Sequence, residues 1–398
     1  MIRKALMLKL FDAAYMQRWN DKLRPVELIE LDKQAHKMII AYFLAKFEED
    51  EGGQPVDWVE LIEGGIFELL QRIVITDLKP PIFYKIKEDR KKYRKLNEWV
   101  EEELKPVLSS LGKPFCRRFR EHFVRANDDT HTRRILNAAH FCATKWEFAI
   151  IERANPGGYD IDDIRNDLER KLGHYSDLKG IIALAEERRF RNFIDLAGQL
   201  RFQTRWAHLH RIPKTSVLGH SLYVAILSYL FSLEIGACPR RRVNNFLTGL
   251  FHDLPEVLTR DIISPVKRSV EGLSELIKEY EKEQLEKEVY RLIPDRWRPD
   301  FLMYAEREFE SFVTVDGVLT ETNSGEIGAR YNKDIFNPKD GALVKGADNL
   351  AAFLEAYAGI RNGSVSQDLQ MARFNIKEQN QGLSIAGLDF GAIYSDFD

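Results

Sequence analysis

The chain predicts an all-α protein made of two similar helical bundles in tandem, and three observations carry that prediction. Helical periodicity runs through nearly all of its 398 residues. Four sequence blocks of the first half recur in the same order in the second. Only the stretch of roughly 313–341, VTVDGVLTETNSGEIGARYNKDIFNPKDG, departs from a helical pattern.

Taken from the N-terminus, Met1-Ile-Arg-Lys-Ala-Leu-Met-Leu-Lys-Leu-Phe-Asp briefly imitates a secretory leader. Lys9 and Asp12 interrupt it and no small-residue cleavage site follows, so it reads as a first helix. Internal repetition comes next, because it decides the architecture. MQRW ending at Trp19 recurs as QTRW ending at Trp206, and QAHKMIIAYFLAKF (34–47) matches LGHSLYVAILSYLF (218–231). GGIFELLQRIVITDLKPPI (64–82) matches TGLFHDLPEVLTRDIISPV (248–266). RRILNAAHFCATKWEFAIIERANPGG (133–158) runs parallel to GALVKGADNLAAFLEAYAGIRNGSV (341–365). The division falls near residue 186, giving halves 1–185 and 186–398.

Within the second half, residues 217–235 are apolar almost all round, as in a helix buried on most sides. Val243, Phe246, Leu247 and Leu250 follow the i, i+3, i+4, i+7 rule of a helix with one apolar face. Ala347, Leu350, Ala351, Leu354 and Ala358 repeat it in a third helix, and 273–293 reads as a charged, more exposed one. The 313–341 stretch, with its Thr/Val alternation, Gly and Asn, reads as a long loop or small hairpin. Long loops in compact domains are often functional, so it is a place where specificity could be set.

The composition is that of an ordinary soluble protein, 44% hydrophobic and 30% charged. With 59 basic and 62 acidic side chains, nothing global argues for a nucleic-acid partner, and the expectation is no membrane partner either. No uninterrupted apolar run of spanning length is expected. Cys116, Cys142 and Cys238 form no CxxC pair, which argues against structural zinc and a disulfide framework and for a reducing cytoplasm. The mixed-sign stretch 85–105 reads as a solvated helix face, and a homo-oligomer stays open.

Four residues of the second half have the chemistry of one divalent metal site. His220 sits on the buried helix, His252-Asp253 closes the next one, and Asp348 lies beside the apolar face of the third. Imidazoles with carboxylates suit Mn, Fe, Co, Ni or Zn better than Mg, and facing helices of a bundle can bring such groups together. At these residues the sequence resembles the HD-domain phosphohydrolase superfamily, and within it the bacterial HD-domain 5′-deoxynucleotidases. Arg205-Trp206 before the first His and HDLPEVLTRDIISPVK after the doublet extend the likeness, which is strong over about 190–360. The resemblance implies His220, His252, Asp253 and Asp348 as metal ligands. It also implies Glu256 and Asp261 in proton transfer, Arg205 on the phosphate, and Trp206 against the sugar or base. Lys267 is a further candidate for the phosphate.

These assignments agree with elementary chemistry. A bound metal makes a nucleophile available near neutral pH, acids nearby can protonate a leaving oxygen, and arginine suits a planar clamp. All nine histidines lie at or before residue 252, so a site with several metals lacks histidines and a single ion is expected. The expected function is hydrolysis of a phosphate ester, foremost a (deoxy)nucleoside 5′-monophosphate. A nucleoside triphosphohydrolase, or a nucleotide sensor with little turnover, is the alternative.

The first half keeps Arg18-Trp19 and Asp77 but carries Glu68-Leu69 at the doublet, Arg72 at the Glu256 place and His140 at the last Asp. By the block alignment His36 stands for His220, leaving His36, Glu68 and His140 as competent donors. The half is expected to be structural or regulatory, with an anion pocket around Arg18 and Arg72 as the alternative.

Overall fold

A computed structural model describes residues 2–76, 78–125, 129–260 and 270–398. Asp77, Asp261 and Lys267, three of the residues singled out above, lie outside the described residues. The first half runs through α1 (Lys4–Phe11), α2 (Glu30–Asp50), α3 (Trp58–Ile75), α4 (Pro80–Glu88) and α5 (Arg90–Leu108). It continues with α6 (Gly112–Val124), α7 (His131–Ala154), α8 (Ile161–Gly173) and α9 (Lys179–Glu186). The second half opens with α10 (Arg188–Gln199), α11 (Val217–Glu234), α12 (Pro239–Phe251) and the single turn α13 (Glu256–Thr259). After it come α14 (Leu273–Gln284), α15 (Gly341–Arg361), α16 (Gln367–Asn380) and α17 (Phe390–Ser395). The all-α expectation holds; α9 ends at Glu186 and α10 begins at Arg188, next to the proposed division.

The sequence sets the helix ends by ordinary capping. Ser216 accepts the Gly219 amide at 2.9 Å to start α11, and Asp340 accepts the Leu343 amide at 3.1 Å to start α15. Pro239 opens α12, where its missing N–H costs nothing. The 313–341 stretch contains a two-stranded hairpin, β1 (Ser311–Val315) against β2 (Val318–Thr322). Its turn residues Asp316 and Gly317 both have positive φ, 51° and 78°, as a two-residue hairpin turn requires. The expected helix over 273–293 is regular only to Gln284. From Leu285 it continues as a wider turn that buries Leu285 and Val289.

The two halves are built around one hydrophobic core. Helix α2 lies against α11, and α11 in turn packs on α12 and α15. Tyr42 of α2 meets Phe251 of α12 edge-on, with ring centroids 5.0 Å apart. Helix α11 is apolar and long enough to cross a membrane by composition, yet 89% of it is buried, which makes it the central core helix. The short leading helices bridge the halves. Tyr223 of α11 donates to the Met7 carbonyl of α1 at 2.9 Å, and Ile194 of α10 offers its carbonyl to His36 Nε2 of α2 at 2.9 Å.

Helices α11 and α12 approach so closely that a Cβ on Gly249 would stand 2.7 Å from the Ala225 Cα and backbone nitrogen. Because the obstacle is backbone, it cannot swing aside. Gly249→Val is expected to cost about 3 kcal/mol of unfolding free energy by overpacking. An unchanged denaturant midpoint would refute the close approach.

Candidate metal centre and substrate cleft

His220 occupies the first turn of α11, one turn after the Ser216 cap. His252 and Asp253 come directly after α12, and the Glu256 amide bonds the Asp253 carbonyl at 3.1 Å, so the chain keeps turning and both carboxylates join the same cleft. Asp348 projects from the second turn of α15. Ligand-capable atoms of His220, His252 and Asp348 all fall within 4.8 Å of one another, the one such group among the described residues. Asp253 stands beside them, with Oδ1 3.2 Å from His252 Nε2 and Oδ2 4.0 Å from His220 Nε2. The structure thus brings together all four residues that the sequence nominated as ligands.

The hydrogen bonds prepare this group for a cation. His252 Nδ1 lies 2.8 Å from the Gly249 carbonyl, which can only accept. Nδ1 must therefore carry the proton, leaving the Nε2 lone pair facing Asp253 and Asp348. On His220, Nδ1 faces Glu355 Oε1 at 3.4 Å while Nε2 faces Asp348 Oδ1 at 3.0 Å. His252 Nε2 and Asp253 Oδ2 are buried and meet no hydrogen-bond partner of good geometry. Buried polar atoms are rarely left so. An orphaned imidazole nitrogen and carboxylate oxygen in one cluster fit a divalent ion.

The carboxylates around His220 draw positive charge to this point, a proton where no ion is bound. Burial and Arg205 work against a charged His220, but Glu355 and Asp348 outweigh them and hold its pKa up at about 9. Burial holds His252 below its usual value. Burial also opposes the charge on Asp348, yet Lys345, His220 and His252 keep it well below the usual carboxylate range. A carboxylate that stays ionised in a buried site is a ready metal ligand.

Arg205 and Trp206 reach the cluster through a residue absent from the sequence reading, Glu355. This buried carboxylate accepts the Trp206 indole N–H at 2.7 Å and the Arg205 Nε at 3.2 Å through one oxygen. Its other oxygen accepts the Thr215 hydroxyl at 2.7 Å. Arg205 NH1 also stands 3.6 Å from Asp253 Oδ2. Glu256 is buried, and its carbonyl takes the Gln203 amide at 2.9 Å. Lys345, also missed, donates to Asp348 Oδ2 at 2.8 Å. A cleft opens over these groups. Part of its wall comes from Glu308 and Phe309, part from α14, and part from Met371, Asn375 and Gln379 of α16. Among the described residues the 313–341 stretch contributes nothing to that wall, so the expectation that it could set specificity finds no contact there.

The first half repeats this scaffold with other contents. Glu147 accepts the Trp19 indole at 3.0 Å and the Arg18 Nε at 2.8 Å, as Glu355 does for Trp206 and Arg205. Both tryptophans hold a left-handed backbone, φ 54° at Trp19 and 58° at Trp206, strained for a bulky residue. Isolated bridges pair Gln17 with Ile29 and Thr204 with Ser216, which fixes the register of α2 against α11. Four residues on from these bridges stand Lys33 and His220. The equivalent of His220 is therefore Lys33, not His36.

Lys33 Nζ lies 2.7 Å from His140 Nδ1, where His220 meets Asp348. His36 points the other way, toward Ile194 and Arg201. Glu68 is engaged by Lys37, and Arg18 by Glu30 at 2.7 Å as well as by Glu147. His36, Glu68 and His140 do not gather, and the Arg18–Arg72 anion pocket is filled by Glu30, 3.6 Å from Arg72 Nε.

Comparison with known proteins places both halves. A family model described as HD domain matches residues 197–376, and one described as 5′-deoxynucleotidase YfbR-like matches residues 6–153. A 5′-deoxynucleotidase of Pasteurella multocida is 22% identical over 189 residues, 47% of this chain and 82% of that protein. One from Photobacterium profundum is 25% identical over 181 residues, 44% of this chain and 77% of its own. A 4′-phosphooxetanocin A phosphatase of Priestia megaterium is 31% identical over 81 residues, 20% of this chain and 42% of its own.

Two expectations follow from the geometry. Metal-loaded protein should contain one divalent ion per chain by elemental analysis; Asp348→Ala should abolish it and His140→Ala should leave it intact. A second ion lost with His140→Ala would contradict the reading of the first half. Glu355→Gln should weaken metal affinity or turnover about 10–100-fold, since it loosens both His220 and Arg205. Activity and metal affinity equal to wild type would show that Glu355 is not needed for positioning.

Proposed function

The chain belongs to the HD-domain metal-dependent phosphohydrolases, and on that premise we propose that it releases orthophosphate from (deoxy)nucleoside 5′-monophosphates. The observation carrying this reading is the pair of orphaned donors, His252 Nε2 and Asp253 Oδ2, in a buried cluster flanked by Arg205. The names of the relatives in Pasteurella and Photobacterium supply the substrate class. We assign His220, His252, Asp253 and Asp348 as the ligands of one ion, with Mn, Co, Fe, Ni or Zn better matched than Mg to two imidazoles and two carboxylates. When bound, the ion supplies positive charge for a phosphoryl oxygen and makes a water more acidic.

The chain's own residues do the rest. Glu355 fixes the Arg205 guanidinium through Nε, so the clamp is oriented before substrate arrives. Charge developing on the phosphoryl oxygens in the transition state then meets a cation already in place. Glu256, buried at the cleft one turn beyond Asp253, is placed to hold or deliver a proton to the leaving 5′-oxygen. Trp206 borders the same cleft, its ring held by the indole bond to Glu355, and packs against the sugar or base. Residues 1–185 serve as a structural half that completes the shared core.

The deciding measurement is phosphate release from nucleoside mono- and triphosphates with each metal in turn, on wild type and Asp253→Ala. Orthophosphate from monophosphates, reduced at least about 100-fold in the variant, is expected. Triphosphate release would replace this reading with a triphosphohydrolase. Bound metal with no turnover of any nucleotide would replace it with a sensor.

A further inference from the structure

We infer that Lys345 is a second phosphate-binding cation, taking a phosphoryl oxygen beside the Asp348 carboxylate. The inference rests on the phosphohydrolase reading and extends it to a residue that reading does not use. Lys345 lies three residues before Asp348 on α15, hence on the same helix face. Its ammonium bonds Asp348 Oδ2 at 2.8 Å, whereas the other oxygen of that carboxylate, Oδ1, faces His220 at 3.0 Å. The division of labour leaves Oδ1 for the metal and keeps Lys345 beside it. Arg205 NH1 stands in the same relation to Asp253, 3.6 Å from Oδ2. The two cations thus stand at the cluster, each against a different carboxylate.

The surroundings of Lys345 suit a substrate contact better than a purely structural pair. Its side chain is 46% exposed although Asp348 is mostly covered, and it borders the cleft. The Phe309 ring holds the ammonium 4.2 Å from its centroid, which aims it without consuming a hydrogen bond. An ammonium has three N–H donors. Among the described residues Asp348 is its one hydrogen-bond partner.

Charge balance points the same way. With Asp253 and Asp348 answering a divalent ion and Glu355 answering Arg205, Lys345 is the positive charge left beside the centre for a phosphate-monoester dianion.

The test uses metal-loaded full-length protein, with inorganic phosphate as the probe and metal affinity measured separately by chelator competition. Lys345→Met and Lys345→Gln should each weaken phosphate binding about 10- to 100-fold, with metal affinity within about threefold of wild type. Lys345→Arg should restore most of the phosphate affinity. The glutamine variant keeps a donor for Asp348, so it reports on the charge even if the methionine variant loses metal. Phosphate bound equally by wild type and both neutral variants would overturn the assignment alone and leave Lys345 as a partner of Asp348. Wild-type protein indifferent to phosphate would overturn the phosphohydrolase reading as well.

Discussion

The second-half site depends on a single buried carboxylate. Glu355 lies in the core at 1% exposure, where an unpaired negative charge would cost several kcal/mol. It is tolerated because every side of it is answered: the Trp206 indole and Arg205 on one oxygen, Thr215 and His220 on the other. Those same contacts hold the His220 ring, orient the arginine and hold the strained turn at Trp206. The strain, of order 1–3 kcal/mol for a bulky residue in the left-handed region, persists because the carboxylate over-determines the turn. Glu147 repeats the arrangement in the first half. The scaffold is therefore common to both halves, whereas the side chains it presents differ.

What diverged is the set of side chains facing the centre. Lys33 stands for His220, Glu68 for His252, Leu69 for Asp253 and His140 for Asp348. Two of these cannot serve as ligands in the same way, and the other two have acquired partners. Burial and neighbouring cations hold Lys33 and His140 well below their usual pKa values, while Lys37 neutralises Glu68. Arg72, in place of Glu256, is matched by Glu30, which burial would protonate but Arg18 and other nearby cations keep ionised. The pocket has been closed from within by ion pairs, a state that needs neither metal nor ligand.

Much of this was legible in the sequence, for identifiable reasons. The candidate ligands stood out because few residue types bind a divalent ion and four of them occur in order, and the structure gathers the four in one cluster. The hairpin was foreshadowed by alternation around Asp316-Gly317. Glu355 was not seen because one glutamate on a helix looks like any solvated acid. The signal available was its recurrence as Glu147, seven residues after His140 just as Glu355 follows Asp348 by seven. The pairing of His36 with His220 failed because a slip of three or four residues leaves a helix's apolar stripe on nearly the same face. Hydrophobic patterning therefore cannot detect such a slip, and matching one histidine to another favoured the wrong register. The cleft walls on α14 and α16 were invisible for a related reason: a polar stripe facing a cleft resembles one facing water.

The same register explains why a half without ligands would be kept. The bridge between Thr204 and Ser216 joins the segment that carries Arg205 and Trp206 to the cap of the helix that carries His220. Each side of that bridge is moored in the first half. Arg201, three residues before Thr204, donates to Glu147 at 2.9 Å, and the Ser216 hydroxyl donates to Asp32 at 2.7 Å. Both moorings are buried, where such bonds are costly to break. A bundle that holds a strained turn and a ligand-bearing cap needs rigid anchors on its far side. The first half supplies them through Glu147 and Asp32, two buried carboxylates that reach across to the second site.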